Sequence, residues 1–282
     1  MTALTCTRSQ ALDTLERMTK EMRHDIFRMG VQTGLNGAHF GGGLSLVEIM
    51  AVLYQSVMRV NPKKPRWPER DRFILSKGHG AMAYYAALKQ VGFVTDEELM
   101  TFKSNHTFLY GHPSMNLEKG IEFSSGSLGL GLALGVGTAI GLRKRDNHAP
   151  RVFVLMGDGE CDEGSVWESA ASASHFGLSN LVAVIDKNGM QYDGPTKDIL
   201  NMDGMAEKWE SFGWQAQTVD GHNLTELLDA FDNLVEDKPS VIVANTIKGK
   251  GVSYMENNPA WHHNRLTQAQ FEELTAVKAG NP

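Results

Sequence analysis

Residues 151–188, RVFVLMGDGECDEGSVWESAASASHFGLSNLVAVIDKN, leave this chain few folds to choose from. An apolar run at 152–156 has the length of a buried strand and stops at Gly157-Asp158-Gly159. A helical pattern follows at about 165–176, and a second apolar run at 181–185 stops at Asp186-Lys187-Asn188. This is a strand-helix-strand unit. Ligands of parallel α/β sheets sit outside the carboxyl ends of the strands. Asp158 and Asn188, 30 positions apart, are therefore expected at one crevice. A carboxylate and an amide carbonyl are oxygen ligands suited to Mg²⁺, which usually joins protein oxygens to phosphates. The glycines flanking Asp158 let a phosphate approach the backbone, and the next helix offers free N–H groups.

The rest of the chain repeats the alternation. Apolar residues Leu12, Leu15, Met18, Met22, Ile26 and Met29 mark one face of a helix over 9–33, with His24 expected at the surface. A glycine loop, GLNGAHFGGG, holds His39, a residue unusual there for packing alone. Ser45 and Glu48 have the spacing of a capping box for the next helix. NPKKPRWPERDR, 61–72, reads as a solvated connection. A strand at 73–75 leads into Ser76-Lys77-Gly78-His79-Gly80 and a helix at 81–90, so His79 sits where an imidazole can donate to a phosphate oxygen. His112 is held between Gly111 and Pro113, whereas His106 reads as surface. Gly126-Ser127-Leu128-Gly129-Leu130-Gly131 resembles a phosphate-binding glycine turn, a weak signal alone. Further strands are expected at 214–219 and 240–246, a capped helix begins at Asn223, and Trp261-His262-His263 lies in an irregular tail. Together these imply one α/β domain spanning 1–282, a doubly wound parallel sheet flanked by helices, with a helical N-terminus.

Composition excludes some functions. A net charge of −6 over 282 residues speaks against a nucleic-acid surface. Two distant cysteines, Cys6 and Cys161, fit no metal spacing and suggest reduced thiols in a cytoplasmic protein with no secretory signal. The 19 residues from 124 to 142 carry no charge, but six glycines make them too weakly apolar for a membrane span. A buried helix behind a glycine turn is expected there instead.

The motifs, taken in order, resemble the transketolase family: AHFGG, LSKGHG, YGHP, GSLGLG, GDGECDEG, DKNGMQYDG, NTIKGKG and WHH. The likeness covers nearly the whole chain, but only the family's diphosphate-binding half. It implies an N-terminal subunit of a split transketolase, which transfers a two-carbon ketol unit from a ketose phosphate to an aldose acceptor with thiamine diphosphate and Mg²⁺. A second, pyrimidine-binding subunit would supply the activating glutamate, in a complex that is heterotetrameric in such families.

Carried over residue by residue, the resemblance implies that Asp158, Asn188 and the carbonyl of Met190 ligate the metal. Gly159 and the turn Gly126-Ser127-Leu128 contact the cofactor, Ile247 packs against it, and His79 and His262 bind its diphosphate side. His39, His112 and His262 face the substrate. Glu163 and Glu168 match acidic residues near a subunit interface. The chain departs from the family at Phe40, where proline is frequent, at Ser127, again in place of proline, and at His263, in place of glycine. Two other enzyme readings stay open, the alpha subunit of a 2-oxo acid dehydrogenase and, less favoured, a deoxyxylulose-phosphate synthase. A third is a non-catalytic thiamine-diphosphate-binding module. KGHG and WHH speak against the dehydrogenase, and the number of histidines at one crevice speaks for catalysis.

Overall fold

The computed structural model describes residues 7–145 and 150–276; Cys6 lies outside them. In chain order the strands are β1 (Arg72–Leu75), β2 (Val152–Gly157), β3 (Leu181–Lys187), β4 (Met190–Gln191), β5 (Gly194–Pro195), β6 (Gln215–Asp220) and β7 (Ser240–Asn245). Five of them form one sheet, in the order β1-β2-β3-β7-β6, with every pair parallel. β4 and β5 pair separately as an antiparallel hairpin. The doubly wound parallel sheet expected from the sequence is thus the fold observed.

The apolar runs form strands because both sheet faces are covered. Phe73, Leu75, Phe153, Leu155, Val182, Val184, Ile242 and Ala244 join the core on one face, with the helices Arg8–Gln32, Val47–Val52 and Ala81–Gln90. The alternate residues Ile74, Val152, Val154, Met156, Ala183, Ile185, Val241 and Val243 join the other, against Gly131–Arg145, Gly164–His175 and Met205–Ser211. Alternation along each strand allots successive residues to the two faces. Because all five strands of the main sheet are parallel, their carboxyl ends share one edge, where residues 76–80, 158–160, 188–191, 221–222 and 246–249 emerge.

Several local expectations change. Ser45 and Glu48 do not cap the helix Val47–Val52, whose first turn has no side-chain cap. The Ser45 hydroxyl donates instead to Asp186, 2.8 Å away, and Glu48 binds Arg23 and His222. Both side chains find partners remote in sequence, which outcompete the local bond. The connection 61–72 is not wholly solvated: Arg70, Asp71 and Arg72 are buried, with Asp71 paired to Arg59 and Arg151 and Arg70 to Glu122. The glycine-rich helix Gly131–Arg145 is buried along one face only. Leu134 is partly exposed, and a Cβ at Gly137 or Gly141 would meet nothing. Among the described residues no helix is long and apolar enough to cross a membrane. His24 is half-buried near the ring of Phe271, at 6.3 Å, because the segment read as an irregular tail contains a helix, Gln268–Ala276, that packs on Arg8–Gln32. The expected Asn223 cap is formed, and capping boxes also occur at Thr7/Gln10 and Thr95/Glu98.

Candidate active site

The strand ends surround a cavity of about 300 Å³. β1 leads to Lys77 and His79, β2 to Asp158 and Gly159, β3 to Asn188 and Met190, and β7 to Lys248; all line the cavity. Leu128 and His262 line it too, as do Glu160, Gln191 and Tyr192. Asp158 and Asn188 therefore face one crevice, brought there by the adjacent parallel strands β2 and β3, in which Gly157 pairs with Asp186.

Two of the three expected metal ligands, the side chains of Asp158 and Asn188, are held in place. The Asp158 carboxylate accepts the Gly189 N–H at 2.7 Å, and the Asn188 Oδ1 accepts that of Met190 at 3.1 Å. Asn188 donates through Nδ2 to Asp186, at 2.9 Å, which fixes which amide atom is left for other partners. Burial, reinforced by the charge of Asp186, pushes the Asp158 carboxyl up to about 6. A cation would reverse that shift by favouring the ionised form. Among the described residues no three His, Cys, Asp or Glu side chains group as a metal cage. The atoms expected to ligate, one carboxylate, one amide oxygen and one backbone carbonyl, are all oxygen and would suit Mg²⁺ better than a transition metal.

Two lysines complete the electrostatics. Lys77 is 1% exposed and pairs with the fully buried Asp186. Asp186 also accepts from the Ser45 and Thr246 hydroxyls. Burial pushes its carboxyl up, but Lys77 and these donors outweigh that and hold it below its ordinary range. Lys248, 2% exposed, donates to the Met190 carbonyl at 3.0 Å. Burial, then the charge of Lys77, pushes its ammonium down to about 8. Two cations beside an oxygen-donor set match a diphosphate carried with a divalent ion. Gly159 admits a close approach to the backbone: a Cβ there would lie 2.6 Å from the Gln191 amide oxygen. The residues present thus fit Mg²⁺ and a diphosphate.

The sequence alone does not single out the lysines or Asp186. Lys77 and Lys248 stand inside the motifs LSKGHG and IKGKG, but a lysine in a glycine turn reads as a solvated cation. A charged residue closing an otherwise apolar strand is the available signal for Asp186.

Beside the cavity five imidazoles gather, of which His79 and His262 line it, whereas the expected His39 and His112 do not. The His39 ring lies 5.9 Å from His79, 5.4 Å from His112, 5.4 Å from His262 and 4.6 Å from His263. His262 is 5.2 Å from both His79 and Tyr192. Burial, then the other imidazoles, pushes His39 down to about 3; burial, then Lys248 and Lys77, pushes His262 down to about 4. His79, His112 and His263 are also lowered, each chiefly by burial. The cluster is therefore uncharged at neutral pH, and each ring offers one donor and one acceptor, as hydroxyl-rich ligands require. His262 lines the cavity whereas His263 meets His39 outside it. The buried His262 Nδ1 has no partner among the described residues, as expected of an atom that a ligand satisfies.

Other expected site residues lie apart. Gly126 and Ser127 line a neighbouring cavity of about 450 Å³ together with Ser76 and Leu130. Ile247 does not line the main cavity; its N–H is held by His222 at 2.9 Å. Glu163 is exposed at the cavity rim, and Glu168 is exposed on the helix Gly164–His175.

Comparison with known proteins identifies the family. Residues 21–280 match the family model described as transketolase, thiamine diphosphate binding domain. The chain is 41% identical over 255 residues to a 6-deoxy-6-sulfo-D-fructose transketolase subunit of Clostridium sp., covering 89% of this chain and 90% of that one. It is 38% identical over 264 residues to an apulose-4-phosphate transketolase subunit of Phocaeicola vulgatus, covering 93% and 92%. Its fold superposes on transketolase from Leishmania mexicana with a TM-score of 0.85 at 25% identity, over 94% of this chain but 41% of that one. The chain belongs to the transketolase family, as a subunit corresponding to the family's thiamine-diphosphate-binding domain.

Proposed function

We propose that this subunit binds Mg²⁺ through Asp158, Asn188 and the Met190 carbonyl, and thiamine diphosphate in the cavity above them. The whole of 1–282 acts as one diphosphate-binding domain in the cytoplasm, paired with a pyrimidine-binding subunit that supplies the activating glutamate, in a heterotetramer. When bound, the thiazolium supplies the carbon nucleophile and electron sink for breaking a bond next to a ketone.

This chain's own residues do the rest. Lys77, Lys248, His79 and His262 face the diphosphate side, and Gly159 lets it approach the backbone. Gly126, Ser127, Leu128 and Ile247 border the cofactor's remaining length. His39, His112 and His262 orient the hydroxyls and carbonyl of a ketose, and later those of the aldose acceptor. Lys103, which donates to the Asn36 and Gly37 carbonyls at 3.1 and 2.7 Å, brings a cation near these histidines. That suits a sugar carrying an anionic group, as the named substrates of the two relatives do.

The observation that carries this reading is the convergence of Asp158, Asn188, Met190, Lys77, Lys248 and His262 on one cavity. A coupled assay of the chain with its partner, offered a ketose phosphate or pyruvate as donor, tests it. Turnover with the ketose phosphate and none with pyruvate is expected; the reverse would favour a 2-oxo acid dehydrogenase.

A further inference from the structure

His222 lies outside the cavity, yet both of its ring nitrogens are engaged. Nδ1 is 3.0 Å from Glu48 Oε2, and Nε2 accepts the Ile247 N–H at 2.9 Å. That pattern assigns the proton to Nδ1 and requires a neutral ring. Glu48 is held in turn by Arg23 at 2.5 Å, and all three side chains are at most 17% exposed. Burial pushes the Glu48 carboxyl up, but its bonds to His222 and Arg23 outweigh this and lower it.

The turn reached by His222 delivers Lys248. Thr246 N–H is bound to the Lys187 carbonyl at 3.1 Å, and Gly249 N–H to the Gly41 carbonyl at 3.0 Å. Ile247 lies between these two anchors, and its amide is the one held by a side chain. Gly221 lets His222 come this close, since a Cβ there would lie 2.4 Å from a Thr246 methyl carbon.

We propose that His222 is a positioning residue for cofactor binding: backed by Glu48 and Arg23, it fixes residues 246–249 so that the Lys248 ammonium faces the diphosphate cavity. This rests on the reading of that cavity as the diphosphate site. His222 contacts no ligand itself. It acts on Lys248 through one backbone hydrogen bond, as partners behind ligand-binding residues do elsewhere.

The test uses the complete complex with its partner and two variants of nearly equal polarity. In His222→Gln the amide oxygen reaches the place of Nε2 and can accept the Ile247 N–H. In His222→Asn the shorter amide reaches only the place of Nδ1, towards Glu48. Thiamine diphosphate affinity is read by calorimetry at saturating Mg²⁺, and donor KM and kcat at saturating cofactor. Lys248 accessibility is read as its acetylation rate by acetic anhydride, in complex free of cofactor. His222→Asn should weaken cofactor binding by about tenfold or more, speed acetylation of Lys248, and leave donor KM unchanged. His222→Gln should behave nearly as wild type. Equal affinity and equal acetylation in His222→Asn would overturn the proposal, as would equal losses in both variants with a raised donor KM. If wild type does not bind thiamine diphosphate at all, the functional reading fails, while the acetylation contrast still decides the role of His222.

Discussion

Asp186 shows how much one side chain can organise. It is fully buried and accepts from Lys77, Ser45, Thr246 and Asn188. Breaking a buried pair from one side leaves an uncompensated charge. Lys77→Met should therefore destabilise the chain by about 3–5 kcal/mol, read as a lower urea midpoint at neutral pH; an unchanged midpoint would contradict the account. The histidines give a second prediction. Imidazoles in the unfolded chain take up protons near 6.5, whereas His39 and His262 do so only near about 3 and about 4. Between those values the unfolded state binds more protons, so stability falls as pH drops. Their contribution is fully present above 6.5 and is lost on the way down to about 3. The thermal midpoint should decline from pH 6.5 to pH 4 and decline less in His39→Gln. Equal slopes would show that His39 titrates freely in the folded chain. Asp158 and Asn188 were readable in the sequence because each follows a strand and each is an oxygen donor. The ion pair beneath them was not, because nothing local in KGHG distinguishes a buried lysine from a solvated one.

Among elements, the glycine loop and the C-terminal tail act as a unit. Ala38 and Asn264 exchange backbone hydrogen bonds of 2.8 and 3.0 Å, and Phe40 meets Trp261 edge to face at 5.6 Å. Each contact is adjacent in sequence to a clustered histidine, so loop and tail together set the distance between His39 and His262. Phe40 in turn fills the notch at Gly30, where a Cβ would lie 2.3 Å from its ring. Gly30→Ala should cost about 1–3 kcal/mol by overpacking and raise donor KM. Adding Phe40→Leu should recover part of both, in the thermal midpoint and in the donor titration. No recovery in the double variant would separate Gly30 from the ring. The strands of this architecture were legible, since an apolar run bounded by glycine or aspartate has few other fates in an α/β chain. Ser45 and Glu48 misled because the capping pattern describes neighbours, while their partners stand 141 and 174 positions away. The glycine-rich helix misled in another way: absence of charge does not reveal that only one of its faces is covered.

At the scale of the whole molecule, apolar side chains border the main cavity (Leu128, Tyr192) and the neighbouring one (Leu130) on the outside. Leu128 is 39% exposed, Leu130 51% and Tyr192 71%, more than a residue lining a completed site would be. The chain spans 41% of a transketolase with the same fold. Purified alone it should show little turnover, and adding the pyrimidine-binding subunit should restore it; substantial activity without a partner would contradict the two-subunit reading. The central claim is that Asp158, Asn188 and the Met190 carbonyl hold one divalent cation with the diphosphate it carries. Mn²⁺ in place of Mg²⁺ makes that claim visible to electron paramagnetic resonance. In the assembled complex with thiamine diphosphate, the free Mn²⁺ signal should fall until one ion is bound per chain, and Asp158→Ala should abolish that binding. Equal Mn²⁺ uptake by the variant would mean that the cation sits elsewhere.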